Sequence, residues 1–152
     1  MTQLHNTTTQ RPRGRLVFLL TVIGAAILFA APAFARPPNL DRSLNRVTDH
    51  GVFHVQLEST RRPIPLWRVH QWTARVTDAS GQPVSGATVV VGGGMPDHRH
   101  GLPTAPRASA TTAPGGYVID GVKFSMPGWW VLTLAVRGPD GRSDTVTFNL
   151  IL

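Results

Sequence analysis

The sequence contains no cysteine among its 152 residues. This absence excludes disulfide bonds, thiolate metal ligands, cysteine nucleophiles and a lipoprotein anchor through an N-terminal cysteine. A secreted domain without disulfides has to be stabilised by its own hydrophobic core. The chain is long enough to form one such core, and it allows at most one ordinary domain.

Acidic residues are also scarce, with 8 Asp and Glu against 15 Lys and Arg. Three of the basic residues, Arg11, Arg13 and Arg15, lie near the N-terminus, and without them the net charge falls from +7 to +4. The other basic residues are scattered, with Arg61-Arg62 as the only adjacent pair. Nucleic-acid-binding proteins carry a basic stripe with interleaved aromatic residues. We therefore predict a solvated basic surface and no nucleic-acid partner.

The first 35 residues have the pattern of a targeting segment. The basic residues precede an almost uninterrupted apolar run, Leu16–Ala31, and Ala33-Phe34-Ala35 is a small-x-small cleavage pattern. We predict that residues 1–35 form a signal peptide that is cleaved after Ala35, so that the protein is exported to the periplasm or the exterior. The run is long for a signal peptide and slightly short for a membrane span. An uncleaved inner-membrane anchor, with the domain outside, is the alternative.

Apolar residues beyond residue 50 alternate at period two, and no helical periodicity follows the leader. Residues 36–50 are polar and unpatterned, and we expect an extended or disordered lead-in. The predicted strands are Gly51–Ser59, Gln71–Asp78, Ala87–Val91, Arg107–Thr112, Tyr117–Phe124 with a bulge at Gly121, Trp129–Val136 and Ser143–Leu152. The pattern predicts an all-β domain over residues 51–152, an immunoglobulin-like antiparallel β-sandwich of about seven strands, preceded by an N-terminal signal or anchor helix.

Most of the polar chemistry of the chain lies in one predicted loop, Gly92–Pro106. His98 and His100 are two residues apart, so that in extended backbone both imidazoles project to one side and Arg99 to the other. Met95 precedes them by a few residues. A turn at Pro96-Asp97 would bring its thioether close to the imidazoles.

A second short loop, Ser125–Gly128, contains Met126. Hairpin closure would bring Met126 to the same end of the sandwich, so we predict a metal site of Met95, His98, His100 and Met126. Thioethers favour Cu(I), imidazole suits both copper oxidation states, and zinc binds thioether poorly. Copper is therefore the predicted cofactor. The alternative is structural, with methionines that fill the open end of the sandwich and histidines that shape the loop.

Three further residues are weaker candidates. His70 could approach the same end as a ligand or as a donor behind a ligand, and Asp97 could orient the imidazole of His98. Adjacent strand residues point to opposite faces, so one ring of Trp129-Trp130 should enter the core. The outward ring, which we assign to Trp129, would be a binding platform or a wall over the Met126 loop. No G-x-S-x-G, H-E-x-x-H or P-loop motif is present, and we predict that the protein is not an enzyme.

The segments MPDHRHGLPTAP and FSMPGWWVLTLAV, together with the closing DTVTFNL, resemble the YtkA-like domain family, which is related to FixH-like proteins. The shared pattern is M-P-x-H-x-H-G, then G-x-Y, then F-x-M-P-G-W-W and a final strand. The resemblance covers about Val52–Leu152. It departs at Arg99, where the family usually has glycine.

The resemblance implies a small exported or membrane-anchored β-sandwich in contexts that suggest copper or cytochrome oxidase maturation. Two kinds of partner follow, a metal-accepting protein or a membrane protein. Two other functions stay open at this point. They are a metal-free protein-interaction module and an accessory subunit of a membrane complex.

Overall fold

Two antiparallel β-sheets form the fold of residues 36–152, which are the residues that the computed structural model describes. The strands are β1 (Asn45–Val47), β2 (Phe53–Ser59), β3 (His70–Asp78), β4 (Thr88–Met95), β5 (His100–Gly101), β6 (Arg107–Ala110), β7 (Gly116–Val122), β8 (Trp129–Arg137) and β9 (Ser143–Ile151). One sheet has the order β1-β2-β3-β7-β6 and the other β5-β4-β8-β9. The predicted two-sheet, all-β architecture is confirmed.

Helical structure in the described part of the chain is limited to one 3-10 turn, Pro96–His98. No helix within residues 36–152 is long and apolar enough to cross a membrane. The predicted signal or anchor helix, residues 1–35, lies outside the described residues.

The period-two pattern places the core where the sequence predicts it. Every predicted inward position of β2, β3, β8 and of β9 up to Leu150 is buried, and Leu152 is partly buried against the same core. Trp72 and Trp130 are fully buried, and each satisfies its indole N–H with a hydrogen bond. Buried tryptophans need such a partner because an unpaired buried N–H is costly. The predicted bulge is confirmed, because β7 has one extra residue between Ile119 and Val122 relative to β3.

Nine strands form instead of about seven, and the two additional strands are β1 and β5. Strand β4 also continues four residues past its predicted end at Val91, through the glycines that suggested a loop. A Cβ at Gly93 would clash with the carbonyl oxygen of Val131, and one at Gly94 with that of His100. Glycine is thus required here because neighbouring backbones approach closely, and the strand forms despite the low strand propensity of glycine.

The predicted lead-in, residues 36–50, contains the edge strand β1 and a turn that is fixed by Asp144. This buried carboxylate accepts hydrogen bonds from the backbone N–H groups of His50 and Val52 and from the His50 imidazole, whose Nδ1 is 2.9 Å away. Burial would raise the pKa of Asp144, but hydrogen bonds from Thr48, His50 and Thr145 outweigh it and lower the pKa. The predicted extended or disordered lead-in thus contains a short extended strand and a turn that is fixed by hydrogen bonds.

Candidate metal centre

Met95 and His100 are directly paired at the end of the second sheet. Met95 ends β4, His100 begins β5, and their Cα atoms are antiparallel partners. Partners in such a pair project to the same face of the sheet, so the thioether and the imidazole lie on one side. Met95 is only 1% exposed, and a Cβ at Gly128 would lie 2.8 Å from its terminal methyl carbon. The thioether therefore packs against the short loop that holds Met126.

The rings of His98 and His100 lie side by side, with centroids 6.0 Å apart and planes inclined by 34°. The backbone route differs from the predicted one. His98 ends the 3-10 turn, and Arg99 adopts the left-handed conformation (φ 55°, ψ 35°). The expectation of extended backbone is wrong, because Pro96 favours a tight turn. With metal–nitrogen bonds of about 2.0–2.1 Å, two imidazoles on one ion have centroids about 5–6 Å apart, which is compatible with this pair.

The nitrogens of His100 have distinct roles. Nδ1 lies 2.9 Å from the carbonyl oxygen of Gly101. A carbonyl oxygen only accepts hydrogen bonds, so Nδ1 carries the proton and Nε2 keeps a lone pair. Metal-ligating histidines typically donate their other N–H to a carbonyl or carboxylate in this way. His100 thus has a nitrogen that is suited to coordination.

Trp130 connects His100 to the second loop. Its ring contacts the His100 imidazole edge-to-face at a centroid distance of 5.6 Å, and its Nε1 donates to the carbonyl oxygen of Met126 at 3.0 Å. The Met126 side chain is partly buried against the core. We call this end of the sandwich, where β4 ends and β8 begins, the loop end. Met95, His98, His100 and Met126 all lie there.

Sequence reasoning did not assign Trp130 this connecting position. The signal that was available is its adjacency to the Met-Pro-Gly segment, because an inward tryptophan at the start of a strand packs beneath the preceding loop. The structure also shows how the ring is supported from below, since Phe124 packs on Trp130 with centroids 5.2 Å apart.

His70 has no nitrogen available for a metal. Its Nε2 accepts a hydrogen bond from Trp72 Nε1 at 3.0 Å, and its Nδ1 donates to the carbonyl oxygen of Arg68 at 3.1 Å. The ring is buried and packs on Phe124 at a centroid distance of 5.6 Å. His70 therefore supports the aromatic layer beneath the site, and the weaker prediction that it is a ligand is not favoured by its hydrogen bonds.

Asp97 and Trp129 differ from their predicted roles. The Asp97 carboxylate accepts a hydrogen bond from the Arg36 guanidinium at 3.4 Å, and among the described residues no hydrogen bond joins it to His98. Trp129 is only 8% exposed, donates to Asn149 Oδ1 at 3.1 Å, and is covered by the Arg36 guanidinium 6.0 Å from the ring centroid. An exposed platform at Trp129 is therefore wrong, because Arg36 of the lead-in lies over the ring and Asn149 of β9 binds its indole nitrogen.

The donor chemistry of the loop end depends on methionine. Within residues 36–152, no group of three or more His, Cys, Asp or Glu side chains is placed to hold a metal ion. The two imidazoles therefore need further ligands of another kind, and the thioethers of Met95 and Met126 are at the same end. Such a set is soft, which suits Cu(I) better than zinc or the hard cations.

The fold and this end define the class of the protein, a two-sheet antiparallel β-sandwich whose loops gather methionine and histidine. The chain belongs to the YtkA-like family, because the model of that family matches residues 49–135, more than half of the chain. The family resemblance noted from the sequence is thereby confirmed. No curated protein matches the chain.

Two solved structures are similar. A crystal structure of a DUF4426 family protein from Pseudomonas aeruginosa PAO1 has a TM-score of 0.51 at 16% identity, and the match covers 72% of this chain and 94% of that chain. This likeness supports the fold alone. The ZirS C-terminal domain has a TM-score of 0.40 at 10% identity, with 100% of this chain and 88% of that chain covered.

Proposed function

We propose that this protein is a small exported binding module, without enzymatic activity, that binds Cu(I) through Met95, His98, His100 and Met126. The observation that carries the proposal is the antiparallel pairing of Met95 with His100, whose Nε2 keeps its lone pair beside the His98 ring. Two imidazoles and two thioethers match the ligand preferences of copper. The ion would be handed on to a metal-accepting protein or a membrane protein.

The burial of these residues supports a site that is shielded from solvent on one side. Met95 is in the core, whereas the two histidines are exposed. A thioether does not need to be ionised to bind, so it can remain in the apolar interior, while the imidazoles meet an incoming ion at the surface. Copper would be held at the boundary between the core and the solvent.

The test is a titration with Cu(I) under reducing conditions, with a competing chelator. The core of the described structure lies within residues 44–152, so the segment that begins at Arg36 contains a complete core and is suitable for the titration. We expect His98→Ala, His100→Ala and Met95→Leu each to weaken copper binding by about tenfold or more. His54→Ala is the matched control, because His54 lies on β2 away from the loop end. Millimolar-weak binding by the unmodified protein and every variant alike would remove the proposal.

A metal-free role is the second candidate, as an interaction module or as an accessory subunit of a membrane complex. Its support is that Met95 and Met126 pack against the core, as residues that close the end of a sandwich would. The metal content of full-length protein purified from copper-supplied cells separates the two functions. Fractionation of the membranes tests whether the N-terminal segment anchors the chain.

We also propose the immunoglobulin-like subtype for the sandwich. Without the edge strand β1, the order β2-β3-β7-β6 corresponds to the immunoglobulin order A-B-E-D. The order β5-β4-β8-β9 corresponds to C′-C-F-G. An experimental structure with the same order and connections would establish this assignment.

A further inference from the structure

The loop between β2 and β3, residues 60–69, exposes two large apolar side chains. Trp67 is 61% exposed and Val69 is 60% exposed. Trp67 is in the left-handed region (φ 68°), which is disfavoured for a bulky residue. Its backbone N–H donates to the carbonyl oxygen of Phe124 at 2.7 Å, so the loop is fixed to the core while the indole stays in solvent. An apolar ring in a strained conformation contributes little to folding, and such outliers cluster at functional positions.

The same loop is basic. Arg61, Arg62 and Arg68 are exposed, and residues 60–69 contain no acidic residue. Within residues 36–152, the ion pair that this loop forms is between a guanidinium nitrogen of Arg62 and a carboxylate oxygen of Glu58, 3.5 Å apart. A cleft of about 310 Å³ opens between the three guanidinium-bearing residues, Pro63 and Pro65. Arginine forks match the geometry of phosphate oxygens, so this cleft suits a phosphate group.

Residues 60–69 lie at the loop end of the sandwich, and Arg36, the first described residue, lies there too. Arg36 contacts Asp97 and Trp129 there. The apolar run that ends at Ala31 lies five residues before Arg36 in the sequence. Five residues span at most about 18 Å, so an apolar segment that stayed in the bilayer would hold this end close to the lipid headgroups.

We propose that residues 60–69 dock onto an anionic phospholipid surface. Trp67 and Val69 enter the interface between headgroups and acyl chains, where tryptophan is favoured. The side chains of Arg61, Arg62 and Arg68 bind lipid phosphates. The proposal does not depend on copper binding. It adds a second membrane contact to the one that an uncleaved N-terminal segment would make. If the N-terminal segment is the uncleaved anchor, the chain entry at this end brings the loop to the bilayer without a further partner, which favours a membrane over an acidic protein.

The experiment is co-sedimentation of the protein that begins at Arg36 with vesicles of phosphatidylglycerol and phosphatidylcholine, compared with vesicles of phosphatidylcholine alone. We expect binding to the anionic vesicles that weakens with salt, because surface charges are screened. Arg68→Gln should lower the partition coefficient about fivefold, since each arginine near an anionic surface contributes a comparable factor. Trp67→Gly, which suits the left-handed backbone, should lower it at least as much, and Trp67→Phe should largely retain it.

Two matched controls are available. Val90 is 62% exposed on β4, and Arg137 ends β8 at the other end of the sandwich. Val90→Ser and Arg137→Gln should leave the partition coefficient unchanged. Equal binding to both vesicle types, or an equal loss in the controls, would overturn the proposal. Absent binding to the anionic vesicles would also overturn it. Lipid-free self-association, or binding to polyglutamate that Trp67→Gly abolishes, would then assign the loop to a second copy or to an acidic protein.

Discussion

Arg99 should be less favourable for stability than glycine at the same position. It follows the 3-10 turn with φ 55° and ψ 35°, the left-handed conformation that closes the turn between His98 and His100. Its side chain is exposed, and within residues 36–152 it takes part in no ion pair that would compensate. The YtkA-like pattern usually has glycine here, and the backbone angle gives a physical reason for that preference.

The magnitude follows from two opposing effects. A side chain in the left-handed region costs about 1–2 kcal/mol relative to glycine. Glycine also stabilises the unfolded chain by about 0.4–1 kcal/mol, because it has more conformational freedom there, and this offsets part of the gain. Arg99→Gly should therefore raise the free energy of unfolding by about 0.5–1 kcal/mol. For a domain of this size that is an increase in Tm of about 2–4 °C.

Thermal and denaturant unfolding of the protein that begins at Arg36 would measure the change. Arg99→Ala is the control, since alanine removes the guanidinium but keeps the Cβ that opposes the left-handed backbone. We expect the alanine variant to stay within about 0.5 kcal/mol of the unmodified protein, as surface substitutions usually do. A glycine variant no more stable than the alanine variant would refute the argument, because only the backbone conformation distinguishes them.

Three further predictions concern the core residue Met95, the last strand and the buried carboxylate of Asp144. Met95→Ala should lower the free energy of unfolding by about 2–5 kcal/mol and Met95→Leu by less than about 1.5 kcal/mol, as measured by denaturant unfolding, because only alanine leaves a cavity. Deletion of Phe148–Leu152 removes two buried side chains and four of the nine residue pairs between β8 and β9, so circular dichroism should show no cooperative melt. Asp144→Asn should destabilise the protein at pH 7. Because the folded pKa of Asp144 is lowered, its ionised form stabilises the fold above about pH 4, and denaturant unfolding should show the difference shrinking as the pH falls below that value.

The sequence was a good guide to the core because burial follows a local rule. Period-two alternation identified the inward positions of four strands, and Gly121 marked the bulge in β7. Strand β1 was missed for a different reason. It has three residues, lies at an edge, and is held by contacts such as the hydrogen bond from the Arg46 guanidinium to the carbonyl oxygen of Thr147, which are 101 positions apart in the chain. No local pattern contains a contact of that range.

The loop was predicted at the right place but with the wrong internal structure. Three successive glycines indicate flexibility in a sequence, yet Gly93 and Gly94 are in β4 because only glycine fits against the adjacent backbones. The nearness of His98 and His100 was expected from extended backbone and arises from a turn instead. The prediction that the two rings lie together was therefore supported for a reason that the sequence did not contain.

The position of Met95 explains why a ligand and a core residue are hard to distinguish at this site. The last pair of the β4–β5 ladder joins a side chain in the core to one in solvent, so burial alone fits both functions. Leucine separates them, because it keeps the volume of methionine but has no sulfur. If Met95 only fills the core, Met95→Leu changes neither stability by much nor copper affinity at all. If its sulfur binds copper, the same variant keeps its stability but binds copper more weakly. A purely structural role cannot produce a loss of copper affinity without a loss of stability.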